Sequence, residues 1–317
     1  MKHVFLLFFF SIVVGHAGDV RAAMLYLDIP QERYYEGDTF VAKIRLDNQG
    51  ACMNAAEVNL RFPKDVVRAI DISRGESIFT LWVGEPVVRE SDATISFSGG
   101  IPGGYCGRVA GDPGVSNILA KIVFMVPNLK EDHASESGMI RFLPGTKALL
   151  NDGLGTEASL TTQDREITVV ASTTTPMNEW ARELEKDAIP PEFFSLEVRQ
   201  DASLFGNNYF IVFSTTDKQS GLDHYEVLEE RMPRSQEGGG KATWKRIESP
   251  FMLADQHLKS LVRVKAVDKA GNERVAEYVP VMHGRTTPTS GLVAMIVLFI
   301  AAVFFAIHFI VRKKASS

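Results

Sequence analysis

The strongest constraint on this chain is a two-residue alternation of apolar and polar side chains, repeated in short runs. Phe40, Ala42, Ile44 and Leu46 alternate with Val41, Lys43 and Arg45, and Ala56, Val58, Leu60 and Phe62 alternate with Glu57, Asn59 and Arg61. Successive side chains of a strand point to opposite faces, so each run predicts a strand with one buried and one wet side. Turn residues punctuate the series at Glu36-Gly37-Asp38, Asp47-Asn48-Gln49-Gly50 and Pro63-Lys64-Asp65. Leu25–Ile29, Val66–Ile72, Thr94–Phe97, Ile118–Val126, Met139–Leu143 and Arg165–Val170 extend it, with a glycine-rich loop from Ser98 to Asn117. Asn151-Asp152-Gly153 reads as a further turn. No helical period is sustained here, and many short strands with frequent turns predict a β-sandwich over residues 24–171.

Residues 172–191 break the pattern. Ser172 to Pro176 reads as a linker, Thr175 and Pro176 suit the start of a short helix, and Pro190-Pro191 ends it. Met177, Trp180, Ala181, Leu184 and Ala188 give that helix an apolar stripe, expected to pack between two domains. Strand-like runs return over residues 192–282 at Phe194–Val198, Tyr209–Thr215, His224–Glu229, Trp244–Ile247, Leu261–Val267 and Glu273–Val279, predicting a second sandwich. Gly238-Gly239-Gly240 reads as a hairpin tip, without the spacing of a phosphate loop.

The two ends set an address. Lys2 and His3, the apolar run Val4–Val14 and the small residues near Ala22 describe a signal peptide over residues 1–22, with cleavage after Ala22 or after Ala17. Gly291–Val311 is apolar on every side and long enough, at about 1.5 Å per residue, to cross a hydrocarbon core of about 30 Å. A stalk at 283–290 precedes it, and a tail at 312–317 opens with Arg312-Lys313-Lys314, as the positive-inside bias expects of a cytoplasmic end. The expectation is a single-pass membrane protein with most of the chain outside the cytoplasm. A net charge of −5 with no internal basic block argues against a nucleic-acid partner. Cys52 and Cys106 are the only cysteines, and in an oxidising compartment they are either bridged or two buried thiols.

The ordered segments EGDTFVAKIRLDN, MNAAEVNLRFPKDVVRAIDI, ISFSGG, NILAKIVFMV and DREITVV resemble a cohesin domain. The resemblance implies a jelly-roll sandwich that binds a dockerin-like protein through one flat sheet face, without catalysis or cofactor. It assigns that face to the strands at Met53–Phe62, Thr94–Phe97, Ile118–Val126 and Arg165–Val170. Alternation then points Glu57, Asn59, Arg61, Thr94, Ser96, Lys121, Val123, Met125, Glu166 and Thr168 outward. Val123 and Met125 are apolar on that expected outer face, so they cover either a partner or another part of the chain, or stand as scattered surface residues. Ala55 stands where cohesins often carry a polar residue, and no dockerin-like repeat occurs in the chain. Tyr105 either stacks on a sugar or peptide or buttresses its own loop. The segments DKQSGLDHYEV and VRVKAVDKAGNER resemble a bacterial fibronectin type III or immunoglobulin-like module, which implies a seven-stranded spacer.

Enzyme signatures are absent: there is no Gly-x-Ser-x-Gly, no His-Glu-x-x-His and no Cys-x-x-Cys. No metal site is expected, because the Asn151–Thr156 run supplies too few oxygen ligands for calcium. The expected function is non-catalytic binding of an extracellular protein or a polysaccharide, connected with adhesion or polysaccharide breakdown. A structural surface-coat component is the alternative, and a carbohydrate-active enzyme a remote one. The absence of aromatics among the outward residues favours a protein ligand.

Overall fold

The period-two runs fold as strands because their apolar halves meet across a common core. The computed structural model describes residues 22–107, 117–129, 134–172, 174–231, 243–280, 295–301 and 303. In the first domain one sheet has the order β11 (Leu160–Gln163), β1 (Ala23–Asp28), β3 (Thr39–Asp47), β8 (Ile118–Met125) and β5 (Arg68–Ser73). The facing sheet has the order β2 (Arg33–Tyr35), β12 (Arg165–Val170), β9 (Ser135–Phe142), β4 (Met53–Arg61), β7 (Thr94–Tyr105) and β6 (Leu81–Arg89), with β10 (Lys147–Leu150) also paired to β4. Leu25, Phe40, Ile44, Ile122 and Phe124 from the first sheet pack with Val58, Leu60, Ile95, Phe97 and Ile167 from the second. Tyr34 stacks on Phe40, whose ring in turn meets Phe124.

Several elements differ from the sequence expectation, and β2, β6, β10 and β11 correspond to none of its runs. The strand expected to end at Phe97 runs on to Tyr105, through glycines expected to form a loop. Gly99 has a packing reason: a Cβ there would lie 2.4 Å from the Phe79 ring, so only glycine lets the core aromatic close against the strand. The Leu81–Arg89 strand had no counterpart in the sequence reading. Gly84 and Pro86 interrupt its pattern, and its pairing with β7 shifts register at both places. It is an edge strand, where such residues are tolerated.

The connecting helix α1 (Glu179–Leu184) begins later than Thr175-Pro176 suggested. Asp38 Oδ1 accepts the Met177 N–H, and Met177 O accepts the Thr39 N–H, holding this stretch against the start of β3. Asn178 then caps the helix, its Oδ1 accepting the Ala181 N–H at 2.9 Å.

The second domain pairs β13 (Glu197–Gln200), β14 (Tyr209–Val212) and β17 (Phe251–Met252) in one sheet. The other sheet has the order β16 (Lys245–Ile247), β15 (Leu222–Arg231), β18 (Ser260–Asp268) and β19 (Glu273–Tyr278). Ile211, Phe213, Val227, Leu253, Val262 and Val264 fill the space between.

The two domains meet at a bonded joint. The Glu76 N–H donates to Lys218 O at 2.8 Å, Ser73 Oγ donates to Ser220 O, and the Lys269 ammonium lies 2.7 Å from the Asp71 carboxylate.

Residues 1–21 of the expected signal peptide, the Gly238–Gly240 tip, the stalk and the tail lie outside the described residues, as does most of Gly291–Val311. Residues 295–301 and 303 are helical, and Met295, Ile296, Leu298, Phe299 and Ile300 are exposed. No helix among the described residues is long and apolar enough to cross a membrane.

Candidate binding face

The outer side of the seven-stranded sheet is built from strand register. Glu57, Asn59 and Arg61 of β4 stand opposite Ser98, Ser96 and Thr94 of β7, and Val87 and Arg89 of β6 stand opposite Ser96 and Thr94. Same-face cross-strand neighbours of this kind are in contact, so these side chains form one continuous surface. Asn59 Nδ2 donates to Glu57 Oε1 at 3.4 Å, Lys147 Nζ lies 3.5 Å from Glu57 Oε2, and Arg89 Nη1 donates to Ser96 Oγ at 3.3 Å. Along β6, Leu81, Val83 and Val87 are 55%, 74% and 40% exposed, so an apolar margin borders the polar centre. Thr94 is itself buried. Among the described residues the main contacts of β4, β7 and β6 are with strands of their own sheet.

The β8 residues do not belong to it. β8 pairs with β3 and β5 in the opposite sheet, which removes Lys121, Val123 and Met125 from the expected surface. Val123 is fully buried with Val41 beneath Trp180 and Leu184 of α1, so its apolar side chain covers another part of the chain. Lys121 is 3% exposed, and its ammonium meets Glu76 at 2.5 Å, Glu183 at 3.1 Å and Gln219 O at 3.4 Å. Met125 lies at the end of β8, half-buried opposite Thr39 and Arg68. Glu166 and Thr168 lie on β12, separated from β4 by β9, and Thr168 Oγ1 is 2.9 Å from Ser137 Oγ.

Tyr105 packs against the first domain's core and stands opposite Met53 in the β4–β7 ladder. One step beyond that pair, Cys52 and Cys106 are joined in a disulfide. The bridge ties the start of β4 to the end of β7, the two central strands of the face.

Buried charge gathers on the other side, at the joint, where Lys121, Asp187, Asp217 and Asp268 lie. Burial pushes the Glu183 carboxyl up, but the ammonium groups of Lys121 and Lys43 outweigh it and hold it below its ordinary value. Burial raises Glu179, only partly offset by the Val41 N–H donating to its Oε2 at 3.0 Å. Burial also raises Asp217, and the nearby charges of Asp187 and Asp268 push the same way. A cleft of about 930 Å³ at the joint is lined by Phe79 and Trp82, among others. The Arg74 guanidinium covers the Trp82 ring at 5.0 Å and pairs with Glu85, so that aromatic surface is occupied. His224 lies on β15, its side chain 20% exposed, with its ring nitrogens beside the Asp223 and Glu226 carboxylates.

No protein-family model matches the chain, and no curated protein matches it. Among solved structures it is similar to the sixth cohesin of scaffoldin B from Acetivibrio cellulolyticus, solved in complex with a Cel5 dockerin. That likeness has 11% identity over 48% of this chain and 100% of the other, with a TM-score of 0.36. A non-cellulosomal cohesin from the archaeon Archaeoglobus fulgidus is similar at 14% identity over 53% and 100%, with a TM-score of 0.35. The seventh ScaB type I cohesin of Pseudobacteroides cellulosolvens is similar at 17% identity over 49% and 95%, with a TM-score of 0.34.

Proposed function

We propose that the chain is a non-catalytic display protein whose cohesin-like first domain captures a protein partner on the outer face of β4, β7 and β6. One observation carries this reading: the other sheet's outer face is occupied by α1 and the second domain, whereas the main contacts of β4, β7 and β6 among the described residues are with strands of their own sheet. Its polar centre of Glu57, Asn59, Arg61 and Ser96, margined by Leu81, Val83 and Val87, has the mix of specific and apolar contacts that protein interfaces use. A glycan would need open aromatic platforms, and among the described residues of β4, β7 and β6 none is exposed on this face. The second domain, a fibronectin type III- or immunoglobulin-like spacer in this reading, carries the face away from a membrane. The apolar run Gly291–Val311 with its basic end serves as the anchor, and the signal peptide delivers the rest outside, where Cys52 and Cys106 oxidise.

The test is a panel of dockerin modules against the full chain in detergent, using wild type and the triple variant Asn59→Asp, Arg61→Glu, Val87→Asp. Capture by wild type that drops at least tenfold in the variant is the expected result. Capture that survives all three substitutions would place the partner elsewhere.

A further inference from the structure

Three carboxylates converge where the linker enters the second domain. Asp187 follows α1 in the linker, Asp217 lies between β14 and β15, and Asp268 closes β18; they are 8%, 5% and 2% exposed. One oxygen from each lies within 4.8 Å of the others. No lysine, arginine or histidine among the described residues pairs with any of them. Three buried like charges are expensive without a compensating cation.

Their known bonds leave that charge unbalanced. Asp187 accepts the N–H groups of Ile189 and Ser220, Asp217 those of Gln219 and Gly221, and Asp268 those of Asn272, backbone and side chain. All are neutral donors. Ser220 supplies a second, independent sign of a missing ligand. It is 3% exposed and its Oγ has no hydrogen-bond partner. Its own amide is bonded to Asp187, and the amides on either side of it are bonded to Asp217, so the residue that carries the orphan hydroxyl is held between two of the three carboxylates.

We propose that Asp187, Asp217, Asp268 and the Ser220 hydroxyl bind one divalent cation of calcium type, which locks the joint between the two domains. The donor set is all oxygen, which suits a hard cation and not zinc or copper. Two oxygens about 2.4 Å from a shared calcium can be separated by at most about 4.8 Å, which this spacing meets. Bidentate carboxylates and water complete a coordination number of about six to eight. The position gives the ion a role. The loop it would order is the one that reaches the first domain: Lys218 O, Gln219 O and Ser220 O accept from Glu76 N–H, Lys121 Nζ and Ser73 Oγ. Loading the ion fixes linker, loop and final hairpin together, and through the loop it fixes the orientation of the first domain.

The experiment is calcium titration of the chelator-stripped full chain, by calorimetry and by thermal unfolding in calcium against EGTA. Wild type is expected to take up one equivalent that Asp217→Asn with Asp268→Asn abolishes, and to melt about 5 °C or more higher in calcium. Ser220→Ala should weaken binding about tenfold. In EGTA the Asp217→Asn variant should melt no lower than wild type, because it removes repulsion, which separates loss of the ion from loss of the fold. A wild-type chain that binds no calcium up to about 10 mM, beyond the weakest extracellular sites, overturns the proposal without any variant. Unchanged uptake by the double variant overturns it equally.

Discussion

Gly75→Ala puts the rigidity of the joint to a quantitative test. Gly75 does not take a positive φ, so alanine meets no backbone penalty of its own there. A Cβ at this position would nonetheless lie 2.0 Å from Gln219 O and 2.7 Å from its carbonyl carbon, both backbone atoms that cannot rotate away. Ordinary contact begins at 3.4 Å, so the second-domain loop must retreat by about 1.4 Å. That displacement breaks the Glu76–Lys218 and Ser73–Ser220 hydrogen bonds and stretches the Lys121–Gln219 contact. At about 1 kcal/mol for each bond lost, and a similar amount for overpacking, the joint weakens by about 3 kcal/mol. Native-state hydrogen exchange reads this directly, since protection of the Glu76 amide should fall about 100-fold while amides in the middle of β4 and β15 keep theirs. Wild-type protection at Glu76 in a folded Gly75→Ala chain would refute the close backbone approach on which the argument rests.

Further outcomes follow from the same structure. Replacing Cys52 and Cys106 by serine opens a bridge spanning 54 residues and should lower first-domain stability by about 4 kcal/mol on the chain-entropy account, read as a lower urea midpoint. Trp180→Ala, which uncovers Val41 and Val123, should cost about 3 kcal/mol and raise exchange along β3 and β8, while leaving partner capture on the opposite face unchanged. Glu183 contributes through a depressed folded pKa, so its stabilisation is present above the ordinary value of 4.5 and is lost as pH falls through the lower folded value. The stability gap between wild type and Glu183→Gln should therefore shrink below about pH 4.5, and a gap independent of pH would sink the assignment.

Local pattern carried much of the architecture, and non-local pairing the rest. β4, β12 and the second half of β3 are legible because each has one face less buried than the other, which stamps a period of two on the sequence. β8 is buried on both faces for most of its length, so alternation named its side chains without saying which sheet it joins. That choice depends on hydrogen bonds to β3 and β5, strands dozens of residues away. The local signs were Val123 and Met125, apolar residues on outward positions, and the cover of Val123 is Trp180 of the linker. β6 escaped because Gly84 and Pro86 suit an edge yet read as breakers. The cost was the apolar margin of the candidate face, which Leu81, Val83 and Val87 could have signalled by their spacing. Asp187, Asp217 and Asp268 are far apart in the chain, so only folding brings them together.

The central claim is that the uncovered sheet face of β4, β7 and β6 receives the partner. Hydroxyl-radical footprinting of the full chain with and without a captured dockerin-type partner measures this most directly, because Leu81, Val83 and Val87 are exposed and oxidisable in the free chain. The account predicts that the partner suppresses their labelling while Phe193 and Val279, exposed on the second domain, label as before. Unchanged labelling at all three β6 residues, with protection confined to the second domain, would contradict it.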